Sequence, residues 1–108
     1  MSRFTDALEH ILTKIDARKG GDPTASWTAK LLADPRLAAK KLGEEAVELV
    51  QAAALQDRDG MAGEAADVIY HLLALLAAEG IGVDAVAQKL EARQGQSGIA
   101  EKASRPKA

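Results

Sequence analysis

Cysteine is absent from this 108-residue chain. Its absence excludes a disulfide framework, a thiolate metal site and a cysteine nucleophile. Aromatic residues are nearly as scarce, with Phe4, Trp27 and Tyr70 each the only one of its kind. Val and Ile are few, so the residues that favour strands are short in supply, which argues against a sandwich, a barrel or a doubly wound sheet. No run approaches the roughly 18 apolar residues that suggest a bilayer span, so no membrane partner is expected. Met1 to His10 lack the apolar stretch of a secretory signal. A chain without cysteine or leader is expected in the cytoplasm. There is no basic excess either: 14 Lys and Arg face 16 Asp and Glu, for a net charge of −2. No nucleic-acid partner is therefore expected.

What the chain does have is Ala and Leu, both strong helix formers. An all-α fold of about five helices in one domain follows. Phe4, Leu8, Ile11, Leu12 and Ile15 recur at helical spacing and predict a helix over Phe4–Lys19. Gly20-Gly21-Asp22-Pro23 breaks it. Ser26 caps a short helix, Trp27–Ala33, and Asp34-Pro35 starts a long one to about Gln56. After Asp57-Arg58-Asp59-Gly60, with Asp59 as the expected cap, a fourth helix runs over about Met61–Glu79, with Gly80 beyond its end. A fifth covers about Val83–Arg93. The domain is expected at 1–93, and the Gly-, Ser- and charge-rich 94–108 as a loosely ordered tail.

The chemistry sits on the third and fourth helices. With Glu48 at zero on a wheel of 100° per residue, Lys41 falls near +20°, Glu44 near −40° and Glu45 near +60°, one arc of roughly 100°. Glu64 and Asp67 share a face of the fourth helix, which is otherwise apolar almost all round and so expected to be buried. A short connection makes the two helices antiparallel neighbours, and that brings Glu45, Glu48, Glu64 and Asp67 to similar heights. Buried carboxylates protonate unless something compensates them. A divalent cation does so, and carboxylate oxygens suit Mg²⁺, with Mn²⁺ as the substitute. Glu45, Glu48, Glu64 and Asp67 are the expected ligands, and Glu44, Glu45 and Glu48 the expected catalytic group. Glu44 is either a further ligand or the side chain that orients water. The competing reading of the first motif alone is a solvated helix face.

Several residues nearby have two readings. Lys40 and Lys41 either touch phosphate or pair with Glu44 and Glu45. Trp27 either stacks on a base or belongs to the core. Thr28 either reaches phosphate or serves only the start of its helix. His71, one turn beyond Asp67, either meets substrate or is a hydrogen-bonded core histidine. Arg93 either binds phosphate across a dimer or complements its helix end.

Glu45-x-x-Glu48 and Glu64-x-x-Asp67 on consecutive helices resemble the all-α MazG-like nucleotide pyrophosphohydrolases. Ser26-Trp27-Thr28-Ala29-Lys30-Leu31, Lys40-Lys41-Leu42-Gly43-Glu44-Glu45-Ala46-Val47-Glu48 and Glu64-Ala65-Ala66-Asp67-Val68-Ile69-Tyr70-His71-Leu72-Leu73 together resemble the phosphoribosyl-ATP pyrophosphatase family within that group. The resemblance spans about Phe4 to Arg93. It implies Mg-dependent hydrolysis of phosphoribosyl-ATP to phosphoribosyl-AMP and diphosphate, the second step of histidine biosynthesis. It also implies a homodimer whose helical bundle is completed by both chains. Family members often carry Tyr at the position of Trp27. The alternatives are a MazG-like enzyme acting on (deoxy)nucleoside triphosphates and a non-catalytic helical dimer.

Overall fold

A computed structural model describes residues 2–94 and 98–106. Among these residues every regular element is a helix: α1 (Arg3–Ala17), α2 (Trp27–Ala33), α3 (Pro35–Ala54), α4 (Arg58–Ala78), α5 (Val83–Ala92) and α6 (Gly98–Ser104). The five helices expected from the sequence are present. The sixth lies within the segment expected to be a loose tail.

Local chemistry sets most of the boundaries. The Ser26 hydroxyl accepts the Ala29 N–H at 3.1 Å, and the Asp34 carboxylate accepts the Leu37 N–H at 3.2 Å with Pro35 in the first turn of α3. Both satisfy amides that a helix start leaves open. At the end of α4, Gly80 takes φ +71°, its N–H donates to Ala77 O, and the Ile81 N–H donates to Leu76 O at 2.8 Å. This is the left-handed C-terminal motif that glycine adopts without strain.

The α3–α4 connection differs from expectation. Asp57, not Asp59, caps α4, and its carboxylate accepts the Gly60 N–H at 3.0 Å. The cause lies one residue earlier. Gln56 takes the left-handed conformation, φ 55°, and ends α3 as Gly80 ends α4: its own N–H donates to Ala53 O and that of Asp57 to Ala52 O. The chain therefore reverses within three residues, and Arg58, Asp59 and Gly60 are already in the first turn of α4. A side chain at Gly60 would disturb this cap, because a Cβ would stand 2.1 Å from Asp57 Oδ2 and the carboxylate would have to shift.

α3 and α4 form the principal helix pair, with α2 laid across both and α1 against α4. The core lies toward the start of α3 and the end of α4. Leu31, Ala38 and Ala74 are fully buried there, with Leu37, Tyr70, Leu75 and Ala78 packed around them. Small side chains at Ala38 and Ala74 leave room for Leu31 of α2. The Thr28 and Tyr70 hydroxyls hydrogen-bond to each other and tie α2 to α4. The core thus holds one end of the helix pair in register, and the acidic motifs lie nearer the turn. By length and composition alone α4 is apolar enough to cross a membrane, but it carries Glu64 and Asp67 and pairs with α3.

Candidate metal centre

The short turn brings the two acidic motifs side by side. Glu45 and Glu48 of α3 and Glu64 of α4 each present a carboxylate oxygen within 4.8 Å of the other two. Glu45 and Glu64 are half-buried and Glu48 is exposed. Asp67 lies outside this triplet, yet its charge is felt by both Glu45 and Glu64.

Crowding shows in the protonation. The Glu45 carboxyl is pushed up to about 7, first by its hydrogen bond to Glu48, then by burial, then by the charges of Glu48, Asp67 and Glu64. Glu64 is also raised, with burial the largest cause, followed by the charges of Glu48 and Asp67. One Glu64 oxygen, Oε2, is buried with no hydrogen-bond partner. Such an atom is costly to keep unpaired. Converging hard oxygen donors, one of them orphaned, fit a hard divalent cation.

Glu44 behaves differently. It points to Lys41, whose Nζ lies 3.0 Å from its Oε2. That hydrogen bond, the largest cause for each partner, lowers Glu44 and raises Lys41. Lys41 also stands 5.8 Å from the centre of the Trp27 ring. Glu44 is thus linked through Lys41 to an exposed indole. Trp27 is no core residue: 44% of it is accessible.

The remaining candidates are placed as follows. Lys40 is exposed on α3. The Thr28 hydroxyl is engaged with Tyr70. The His71 ring is buried, with Nδ1 2.8 Å from the Asp67 backbone oxygen. A carbonyl only accepts, so Nδ1 carries a proton, and Nε2 is buried without a partner. Arg93 is the C-cap residue of α5, outside the α2–α3–α4 unit. Sequence reasoning passed over Lys30, which lies 5.8 Å from the Trp27 ring centre. Its three-residue spacing from Trp27 on one helix was the available signal. An apolar groove of about 380 Å³ between α1 and the α4–α5 turn, lined by Leu12, Ile15, Leu73, Leu76, Ile81 and Val83 among others, lies at the far end of α4 from the carboxylates.

Paired carboxylates from an ExxE and an ExxD motif, on antiparallel neighbours of an all-helical chain, define the class: MazG-like all-α pyrophosphohydrolases. Within that class the sequence pattern of the phosphoribosyl-ATP pyrophosphohydrolase family matches residues 8–94, and the chain belongs to that family. It is 66% identical over 103 residues to the phosphoribosyl-ATP pyrophosphatase of Caulobacter vibrioides (strain NA1000 / CB15N), covering 95% of this chain and 96% of the relative. It is 60% identical over 106 residues to that of Caulobacter sp. (strain K31), covering 98% and 99%. Against that of Cereibacter sphaeroides (strain KD131 / KCTC 12085) the identity is 56% over 99 residues, covering 91% and 96%.

Proposed function

We propose that this chain hydrolyses phosphoribosyl-ATP to phosphoribosyl-AMP and diphosphate, the second step of histidine biosynthesis, with Mg²⁺ or Mn²⁺ held by Glu45, Glu48, Glu64 and Asp67. The observation that carries the reading is the convergence of Glu45, Glu48 and Glu64 from two helices, with a buried Glu64 oxygen left unpaired. The relatives' shared name supplies the substrate. A bound dication would offset charge on the phosphoryl oxygens and on the departing diphosphate.

The chain's own residues divide the remaining work. Glu44, outside the triplet and kept ionised by Lys41, is suited to orient the attacking water rather than to ligate. Glu45 and Glu48 complete the catalytic group from the same face of α3. Trp27 offers a flat, accessible surface on which adenine stacks. Lys41 and Lys40 stand on the phosphate side. Thr28 and His71 are engaged inside the protein. They serve binding by holding the helix of Trp27 and the turn of Asp67. Arg93 is proposed to reach phosphate from a partner copy.

A homodimer belongs to the same reading. α4 is apolar nearly all round, yet only His71 and Ala74 of it are buried in the single chain. Leu72 of α4 and Val47 and Val50 of α3 remain exposed. A second copy laid on these helices would cover them and border the acids.

Purified protein is expected to release diphosphate from phosphoribosyl-ATP and to stop in EDTA. Glu48→Gln is expected to lower turnover at least about 100-fold while helicity persists. Orthophosphate as first product, or activity surviving Glu48→Gln, would overturn the assignment.

A further inference from the structure

The proposed nucleotide site leaves one charged neighbour of Trp27 without a role. Two ammonium groups stand over this indole, Lys30 Nζ and Lys41 Nζ, each 5.8 Å from the ring centre. They are held very differently. Lys41 is half-buried and fastened to Glu44 at 3.0 Å. Lys30 is exposed, and no carboxylate among the described residues forms an ion pair with it. Its tie is the ring.

A cation over an exposed aromatic gains only about 0.5–1 kcal/mol. An ammonium on a phosphate oxygen makes a charge-assisted hydrogen bond, which is stronger. A base that stacks on Trp27 competes with the lysines for the ring face, and the lysine with no second anchor yields. Lys30 then stays tethered within one side-chain length of the indole. That leaves it within reach of a phosphate attached to a stacked nucleoside. Local charge favours the exchange as well. Lys41 is already balanced by Glu44, so a cation without a carboxylate partner is the better match for an incoming phosphate.

We propose that Lys30 is a substrate-binding residue: it leaves the Trp27 ring when a nucleotide base stacks there and pairs with a phosphate oxygen of that nucleotide. Trp27 and Lys30 together then distinguish a phosphorylated nucleoside from a bare one. The inference rests on base stacking at Trp27, part of the function proposed above.

Trp27 is the sole tryptophan, so protein fluorescence reads this site directly. The full chain in EDTA and low salt is titrated with adenosine and with AMP. Both are expected to quench Trp27, with AMP binding about tenfold more tightly, roughly the effect of 1.4 kcal/mol. In Lys30→Met most of that preference for AMP is expected to be lost while adenosine binding is retained, the remainder belonging to Lys40 and Lys41. In Lys30→Arg the preference is expected to return. Circular dichroism confirms folding of both variants, as expected for an exposed position. An unchanged AMP preference in Lys30→Met, or equal affinity for both ligands in the wild type, overturns the role of Lys30 and leaves stacking intact. No quenching by either ligand overturns stacking and this inference together. Diphosphate release, measured separately, tells whether the hydrolase reading survives that result.

Discussion

Glu45 has the most informative single environment in the molecule. Its ordinary value is 4.5, and the folded chain pushes it up to about 7. Below about pH 4.5 both folded and unfolded chains hold this proton. Between about 4.5 and 7 the unfolded chain releases it while the folded chain keeps it. The unfolded state then binds fewer protons, so stability falls as pH rises through this window. Glu64 is shifted the same way and adds to the trend. Asp22 and Glu44 are lowered, so their opposite contributions belong to more acidic solutions. The metal-free protein is therefore expected to melt at a lower temperature at pH 7.5 than at pH 5, and millimolar Mg²⁺ is expected to restore the loss. Thermal melts in EDTA and in Mg²⁺ across that range test this. A metal-free melting temperature that rises with pH would contradict the crowding of these carboxyls. The residue types and their helical spacing were legible in the sequence. The difference between Glu44 and its neighbours was not, because it depends on where Lys41 points.

At the scale of elements, the decisive feature is the three-residue reversal between α3 and α4. Gln56 occupies a left-handed position that costs an L-residue roughly 1–2 kcal/mol relative to glycine. Gln56→Gly is therefore expected to stabilise the protein by about 1 kcal/mol, the gain reduced by glycine's greater freedom when unfolded. Urea unfolding measures this, and a destabilised variant would show that Gln56 is not strained. The starts of α2 and α3 were legible because Ser26 and Asp34-Pro35 are strong helix-start signals, and Gly80 marked the end of α4 for the same kind of reason. The end of α3 was harder to read. Gln is an uncommon residue for a left-handed cap, so the break was assigned a few residues late and the cap to Asp59.

For the whole molecule, the exposed apolar faces of α3 and α4 lead to an expected mass about twice the chain's 11.3 kDa. Sedimentation equilibrium at micromolar concentration checks this, and a monomer there would refute the proposed dimer. The amino-acid sequence by itself determined that the chain is helical, where most helices begin and end, and which carboxylates share a face. Those properties follow from local backbone preference and from periodicity, which act over a few residues. Tertiary structure alone decided that Asp67 stays outside the cluster of Glu45, Glu48 and Glu64 while Glu44 turns to Lys41, that Trp27 is exposed under two lysines, and that Thr28 is occupied by Tyr70. Each of these depends on the height at which one helix packs against another. That height is set by the reversal at Gln56 and by the fit of Leu31 against Ala38 and Ala74, contacts between residues far apart along the chain.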